Sequence, residues 1–254
     1  MCNTTSRCPR CLGTNIKKNG FTNYLKPCHK CKDCKYKFVD KGQEWFISPD
    51  KKILIKRLLL ERISLRGICR VMDISMKWLL QFIKEIYSEL PDDLNCKINL
   101  KKVKHNDRYY IKLVVNEADE LWSWVKNRDN VYYIWLVMHK ESRQIIAFHV
   151  GDRSGESAKA LWEKIPPQIR EYGLFHTDDW DSYKTIIPEG KHLYCKQKKY
   201  TNHIERFNNT LRQRVSRLVR ETLSFSKILV NHIGAIKYYL CYHNLNHSMG
   251  LIAP

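Results

Sequence analysis

The sequence predicts an α/β protein whose main domain follows a small metal-held segment and an all-α segment. Three observations carry this. Two CxxC pairs stand near the N-terminus, apolar residues recur at spacings of three and four from Lys51 to Leu90, and β-branched and aromatic runs alternate with a helical pattern beyond Tyr109. The expected division is 1–45, 46–94, a linker over 95–108, and 109–254.

The first segment, Arg7 to Asp40, is rich in cysteine and lysine and has little apolar periodicity, so burial alone does not hold it. Cys8-Pro-Arg-Cys11 and Cys31-Lys-Asp-Cys34 lie about twenty residues apart. That spacing lets two tight knuckles offer four thiolates to one tetrahedral Zn²⁺, as in a zinc ribbon. Cys28 with Cys31 is also a CxxC. The pair Cys31 and Cys34 is preferred because it runs straight into a strand, Tyr36 to Val39. Such a metal is structural, since a segment this small gains its folding free energy from coordination. Lys17, Lys18, Lys26, Lys30, Lys32, Lys35 and Lys37 would then face a phosphate backbone.

Lys51 to Arg62 reads as a helix, Ser64 to Met72 as a short second one capped by Ser64, and Met76 to Leu90 as a third capped by Ser75. Pro91, Asp92 and Asp93 end the series. The tight turn between the last two helices predicts a helix-turn-helix, with Lys77, Trp78 and Gln81 presented to base edges. Periodicity alone also allows a plain three-helix bundle or a dimerisation unit.

Past the polar linker, Tyr109 to Val115, Val131 to Met138 and Ile145 to Val150 predict three strands joined as hairpins. Ser157 to Ile165 then predicts a helix stopped by Pro166 and Pro167. Leu174 to Thr177 predicts a buried strand, Thr201 to Arg220 a long basic helix, and Ser226 to His243 a last amphipathic helix. Trp122, Trp124, Trp135 and Trp162 are expected in the core. His243 and His247 are expected to pack or touch DNA rather than bind metal, and Asn208 and Asn209 to cap or to contact DNA.

Charge narrows the partner. Among 254 residues, 45 Lys and Arg face 26 Asp and Glu, a formal net charge of +19 that calls for a polyanion. Nucleic acid leads, ahead of an anionic membrane surface. No run approaches the roughly 20 apolar residues that span a bilayer, and Met1 to Pro9 lacks a signal-peptide stretch. The chain is therefore expected in the cytoplasm, associated with the nucleoid, and not at a membrane. Its ten cysteines are concentrated near the N-terminus, which favours metal ligands over a disulfide scaffold.

Three acidic contexts remain: Glu117-Ala-Asp119-Glu120-Leu-Trp122 on a first strand, His176-Thr-Asp178-Asp179-Trp180 ending another, and His203-Ile-Glu205-Arg206-Phe-Asn208 on a helix. Carboxylates converging from strand, strand and helix suit a two-metal phosphoryl-transfer site, with ions about 4 Å apart. Glu117 shares a strand face with Asp119, and Glu120 adjoins it. Lys196, Lys198, Lys199, Arg206, Arg212, Arg214, Arg217 and Arg220 surround Glu205 and are expected to grip phosphates.

In these motifs the chain resembles the insertion-sequence-1 family of DDE transposases. The shared features run in order: paired CxxC, helix-turn-helix, E-x-D-E-x-W, T-D-x-W followed by Tyr183, the stretch KYTNHIERFNNTLRQRVSRL, and Leu223-Ser-Phe-Ser-Lys227. The resemblance implies a ribonuclease-H-like core, a mixed sheet flanked by helices. In it Asp119, Asp178 and Glu205 are catalytic and bind two Mg²⁺ or Mn²⁺ ions. It implies hydrolysis at the transposon end, then attack of the freed 3′-hydroxyl on target DNA, by at least a homodimer on double-stranded DNA. Asp179 stands where the family commonly has glycine, so either Asp178 or Asp179 is the ligand. Rival readings are a DNA-binding regulator with an inactive core, a structure-selective nuclease on the same core, and recombinase chemistry through Tyr183 or Tyr200.

Overall fold

The computed structural model describes residues 7–22, 27–39, 47–98, 100, 102–105, 108–178, 180–194, 200–218 and 226–248. Two compact units divide between Lys52 and Ile53. In the first, β1 (Ile16–Phe21), β2 (Pro27–Cys31) and β3 (Lys37–Val39) form an antiparallel sheet in that order. The two cysteine knuckles repeat one backbone device. Leu12 after Cys11 and Lys35 after Cys34 both take positive φ, 59° and 60°, and the Cys8 and Cys31 amides donate to the Gly13 and Tyr36 carbonyls. Cys8 and Cys31 are buried while the rest of the segment is largely exposed.

The second unit begins with α1 (Pro49–Leu58, which spans the boundary), α2 (Leu65–Met72) and α3 (Met76–Ser88). The two expected caps form: Ser64 Oγ accepts from Gly67 N at 3.0 Å and Ser75 Oγ from Trp78 N at 3.2 Å. Between them Asp73 turns the chain at φ 47°. Ile55, Ile68, Met72, Leu79, Phe82, Ile83 and Ile86 are buried.

A five-stranded mixed sheet forms the centre, in the order β10-β9-β6-β7-β8. Its strands are β6 (Val114–Trp124), β7 (Val131–His139), β8 (Ile145–Gly151), β9 (Gly173–Thr177) and β10 (His192–Tyr194). The first three form an antiparallel meander, and β9 and β10 add parallel on the other side of β6. The expected strand Tyr109 to Val115 divides: Arg108–Ile111 is β5, paired with β4 (Lys102–His105) in a separate ribbon, and Val114 opens the longer β6.

Strand alternation sends side chains to two cores. Leu121, Ile134, Leu136, Met138 and Phe148 pack against Ile204, Phe207 and Leu211 of α7 (Asn202–Arg214) and Ile236 and Leu240 of α8 (Leu229–Ser248). Ala118, Trp135 and Val137 pack on the opposite face with α4 (Gly155–Lys164), α5 (Pro167–Tyr172) and α6 (Asp181–Lys184). Helix α7 is shorter than its sequence suggested: Val215 is extended, and Arg217 falls in a following 3₁₀ turn, Ser216–Leu218. Among the described residues no helix is long and apolar enough to cross a membrane.

Asn244, fully buried on α8, ties the helix to the sheet. Its Oδ1 accepts from Ile145 N at 2.7 Å, and its Nδ2 donates to the carbonyls of Ile145 at 2.8 Å and Leu94 at 2.9 Å. Gly234 on the same helix leaves room for Tyr87 of α3, whose ring a Cβ would strike. We predict that Asn244→Ala, which strands these backbone groups, lowers unfolding free energy by about 3 kcal/mol, and that Gly234→Ala costs about 1–3 kcal/mol by overpacking. Denaturant melts of the two variants check both.

Candidate active site and metal centres

Strand β6 outruns its neighbour. Its register with β9 runs from Val114 opposite Gly173 to Glu117 opposite His176, whereas β6 itself continues to Trp124. Asp178 follows the last residue of β9 at this open edge. Here the carboxylate oxygens of Asp119, Glu120 and Asp178 come within 4.8 Å of one another, a grouping of hard donors able to hold a divalent cation. Asp179 lies outside the described residues.

Each acid is held differently. Asp119 Oδ1 accepts from the Glu120 amide at 2.9 Å, and Oδ2 accepts from Asn208 Nδ2 on α7 at 2.8 Å. Burial, then the charges of Glu120, Asp178 and Glu205, push the Asp119 carboxyl up to about 7, against the opposing amide bond. Glu120 turns toward the other face of the sheet. Its Oε1 meets Arg153 Nη2 at 2.6 Å and Nε at 2.8 Å, and its Oε2 accepts from Tyr183 OH at 3.1 Å. Burial raises its pKa and the charge of Asp178 adds to that, while Arg153 and Tyr183 pull it back. The Arg153 guanidinium lies 3.7 Å from the Trp180 ring centroid, so the cation is packed as well as paired.

Glu117, two residues before Asp119 on the same strand face, is spent elsewhere. It is fully buried, and its Oε2 accepts from the His203 and Ile204 amides at 2.9 Å each, at the start of α7. Glu205 sits in that same first turn, with Oε1 accepting from Thr201 Oγ1 at 3.1 Å. Its charge acts on Asp119, but it stands outside the 4.8 Å grouping. The closest trio is thus Asp119, Glu120 and Asp178, with Glu205 approaching from the helix. Sequence reasoning missed Arg153 as the partner of Glu120; a lone arginine in a loop gives no signal for it.

The basic residues divide. Arg206 is exposed, whereas Arg212 reaches the Trp122 carbonyl at 3.4 Å and lies over its ring, and Arg214 pairs with Glu61 at 2.7 Å. Arg217 approaches Ser226 Oγ at 3.5 Å. Lys198 and Lys199 lie outside the described residues, as do Lys26, Lys196 and Arg220. On α3, Lys77 and Gln81 are exposed, Gln81 donating to Glu85 at 3.3 Å, and Trp78 is half-buried against Phe82. Of the tryptophans expected inside, Trp135 is fully buried, Trp124 and Trp162 are half-buried, and Trp122 is 41% exposed. Trp122 lies beyond the register that β6 shares with β9. Tyr183 is buried with its hydroxyl donating to Glu120, and burial holds its pKa well above the usual phenol value. His243 packs on Phe207 and meets the Arg143 carbonyl at 2.9 Å.

In the small unit the sulfurs of Cys8, Cys11, Cys31 and Cys34 lie within 4.8 Å of one another, with Cys8 to Cys34 at 3.5 Å and Cys11 to Cys31 at 3.6 Å. Such separations fit the edges of a tetrahedron of thiolates about 2.3 Å from a central ion. Cys28, on β2 opposite Val39, is not in this cluster.

The segment that carries this site is similar to known proteins. The family described as IS1 transposase matches residues 112–246, more than half of the chain and all of the acids above. The insertion element iso-IS1n protein InsB of Shigella dysenteriae is 32% identical over 130 residues, 51% of this chain and 96% of that protein. The insertion element IS1 protein InsB of Shigella flexneri is 32% identical over 135 residues, 53% of this chain and 98% of that protein. The insertion element IS1 4 protein InsB of Escherichia coli strain K12 is 31% identical over 135 residues, covering 53% and 77%. With the matched segment spanning the central sheet, its open edge and the helix that closes on it, the chain belongs to the IS1 transposase family.

Proposed function

We propose that this chain is the transposase that cuts and joins the DNA of an insertion element, with Asp119, Asp178 and Glu205 as its catalytic, metal-binding acids. The observation that carries the reading is the convergence of Asp119 and Asp178 at the open edge of β6, inside the segment the family matches. The meander of three strands with two parallel additions supports a ribonuclease-H-like core. Hard carboxylate oxygens fit Mg²⁺ or Mn²⁺, two per site, rather than a soft metal. When bound, such ions supply an activated attacking oxygen and charge stabilisation of the leaving one.

The chain's own groups do the rest. Asp119 would be deprotonated where it holds an ion, Asn208 holds the orientation of its carboxylate, and Arg153 with Tyr183 offsets the charge of Glu120 beside it. In the first reaction water adds to phosphorus and the P–O3′ bond at the element's end breaks. In the second, the freed 3′-hydroxyl forms a new P–O bond to target DNA as the target's own 3′ oxygen leaves. No protein nucleophile is required, and the buried, hydrogen-bonded Tyr183 suits none.

DNA handling is assigned to the remaining cations. α2 and α3 serve as a helix-turn-helix (46–94), with Lys77, Trp78 and Gln81 toward base edges. The cysteine knuckles form a zinc ribbon (1–45) holding one Zn²⁺ through Cys8, Cys11, Cys31 and Cys34. Residues 95–108 link these to a catalytic domain over 109–254. Arg206, Arg212, Arg214, Arg217, Lys198 and Lys199 flank the catalytic helix for phosphate contact. The chain works on double-stranded DNA at the nucleoid as a homodimer or larger oligomer, since two ends must be held together.

A strand-transfer assay with a pre-cleaved element end and Mg²⁺ tests the central reading. Joined product is expected, abolished by alanine at Asp119, Asp178 or Glu205 with DNA binding intact. Cutting without joining would favour a nuclease, and binding without chemistry a regulator. Zinc removal should release one ion per chain and expose Arg7 to Val39 to protease while the sheet stays folded; an unchanged digest would remove the metal from the ribbon.

The Asp119 carboxyl gives a third expectation. Raised from 3.8 to about 7, it binds a proton in the folded chain that the unfolded chain has already released. Its contribution is therefore present below pH 4 and lost as pH rises toward 7. Without Mg²⁺ or Mn²⁺, Asp119→Asn should melt higher than the parent well above pH 7, and this gain should vanish near pH 4. Thermal melts across that range check it.

A further inference from the structure

We infer that Glu117 and Asn208 are positioning residues that together set the separation of Asp119 and Glu205, an inference that rests on the proposed metal-binding role of those two acids. A buried carboxylate is seldom a source of stability in itself, because desolvation offsets what its partners return. Glu117 is fully buried all the same, and three of its hydrogen bonds go to the start of one helix: His203 N and Ile204 N at 2.9 Å each, and His203 Nδ1 at 2.8 Å. Lys140 Nζ approaches the same carboxylate at 3.6 Å.

Helix α7 has no cap of its own. Thr201, at the N-cap position, makes no side-chain bond to a helix amide and donates instead to Glu205. The leading amides of a helix need acceptors, and here a residue 86 positions earlier supplies them. The acceptor is charged, which suits the positive end of the helix.

The second tie lies one turn further along. Asn208 is 6% exposed, and its Nδ2 donates to Asp119 Oδ2 at 2.8 Å, while its Oδ1 is buried without a hydrogen-bond partner among the described residues. An amide half satisfied in the interior does little for stability. It does orient the carboxylate it bonds. β6 thus grips the first turns of α7 at two points, through Glu117 and through Asp119, with Glu205 between them on the helix and the Arg212–Trp122 contact further along. One tie alone would let the helix slide or roll. Two ties fix both, and the position of the Glu205 carboxylate relative to Asp119 follows.

Outer residues that orient metal ligands typically change metal affinity by about 10–100-fold when removed. The test is Mn²⁺ binding by the full chain, read from the paramagnetic resonance of free Mn²⁺, with thermal melts alongside. Glu117→Ala and Asn208→Ala are each expected to weaken Mn²⁺ binding at least tenfold. In a Glu205→Ala background, Glu117→Ala should change it by less than about twofold, because the ligand it positions is gone. A role in folding alone would lower the melting temperature equally in both backgrounds and leave Mn²⁺ affinity unchanged, and that result overturns the inference. If Glu117→Ala does not fold, Glu117→Gln decides. Its amide can still accept from the two helix amides and donate to His203, so Mn²⁺ affinity within about threefold of the parent supports positioning by hydrogen bonds, and a loss as large as that of Glu205→Ala refutes it. Failure of the underlying reading looks different: Glu205→Ala would then leave Mn²⁺ binding unchanged.

Discussion

Crowding of negative charge at the open edge of β6 is the constraint the larger unit is built around. Glu117, Asp119 and Glu120 stand within four residues on β6, and Asp178 follows the end of the neighbouring β9, in a site that is half to fully buried. Such a group cannot all ionise without compensation. Glu117 is neutralised by helix amides and Lys140, and Glu120 by Arg153. Asp119 receives an amide N–H and one side-chain donor, and burial with the neighbouring charges raises its carboxyl to about 7. An acid raised in this way by its neighbours is one that an external cation would relieve.

The same constraint explains what could be read from the sequence and what could not. The four cysteines were legible because ligand spacing is a covalent property of the chain, and the knuckles close locally. Ser64 and Ser75 were legible because a cap acts within three residues. The helix carrying Glu205 and the strand leading to Asp178 followed from periodicity, whereas the strand expected from Tyr109 to Val115 stopped short of Asp119 and β6 runs on to Trp124. The roles of Glu117 and Glu120 did not, since both lie in the same motif and their partners, His203 and Arg153, are set by tertiary packing far along the chain. The end of α7 was equally hidden: no glycine or proline marks it, and the helix stops where Val215 turns inward to the core and Arg214 turns to Glu61. The division between β5 and β6 was missed for a related reason, because the run from Tyr109 to Val115 is uniformly apolar apart from Lys112 and carries no turn residue.

Net charge also needs reading through the structure. The excess of +19 is a property of the chain, whereas affinity for a polyanion depends on cations that are not already committed. Arg153 and Arg214 are ion-paired, and Arg212 is bonded to the Trp122 carbonyl. Lysines of the small β unit, among them Lys17, Lys18, Lys32, Lys35 and Lys37, are exposed on a frame held by the cysteine cluster rather than by a core. Arg153 thus braces Glu120, whereas Arg206 on α7 is exposed like those lysines, so cations of both units remain for the proposed phosphate contact.

Bracing and the proposed metal site are then linked through α7. Its inner face, Ile204, Phe207 and Leu211, packs in the core, which sets how far the helix stands from the sheet. Hydrophobic packing is non-directional, so it cannot by itself hold a carboxylate to the fraction of an ångström that metal coordination demands. Hydrogen bonds are directional, and those made by Glu117 and by Asn208 join α7 to β6 on either side of Glu205. The fold thus separates two tasks that a single interaction could not perform together: apolar burial gives the unit its stability, and a small number of buried polar ties give the site its geometry.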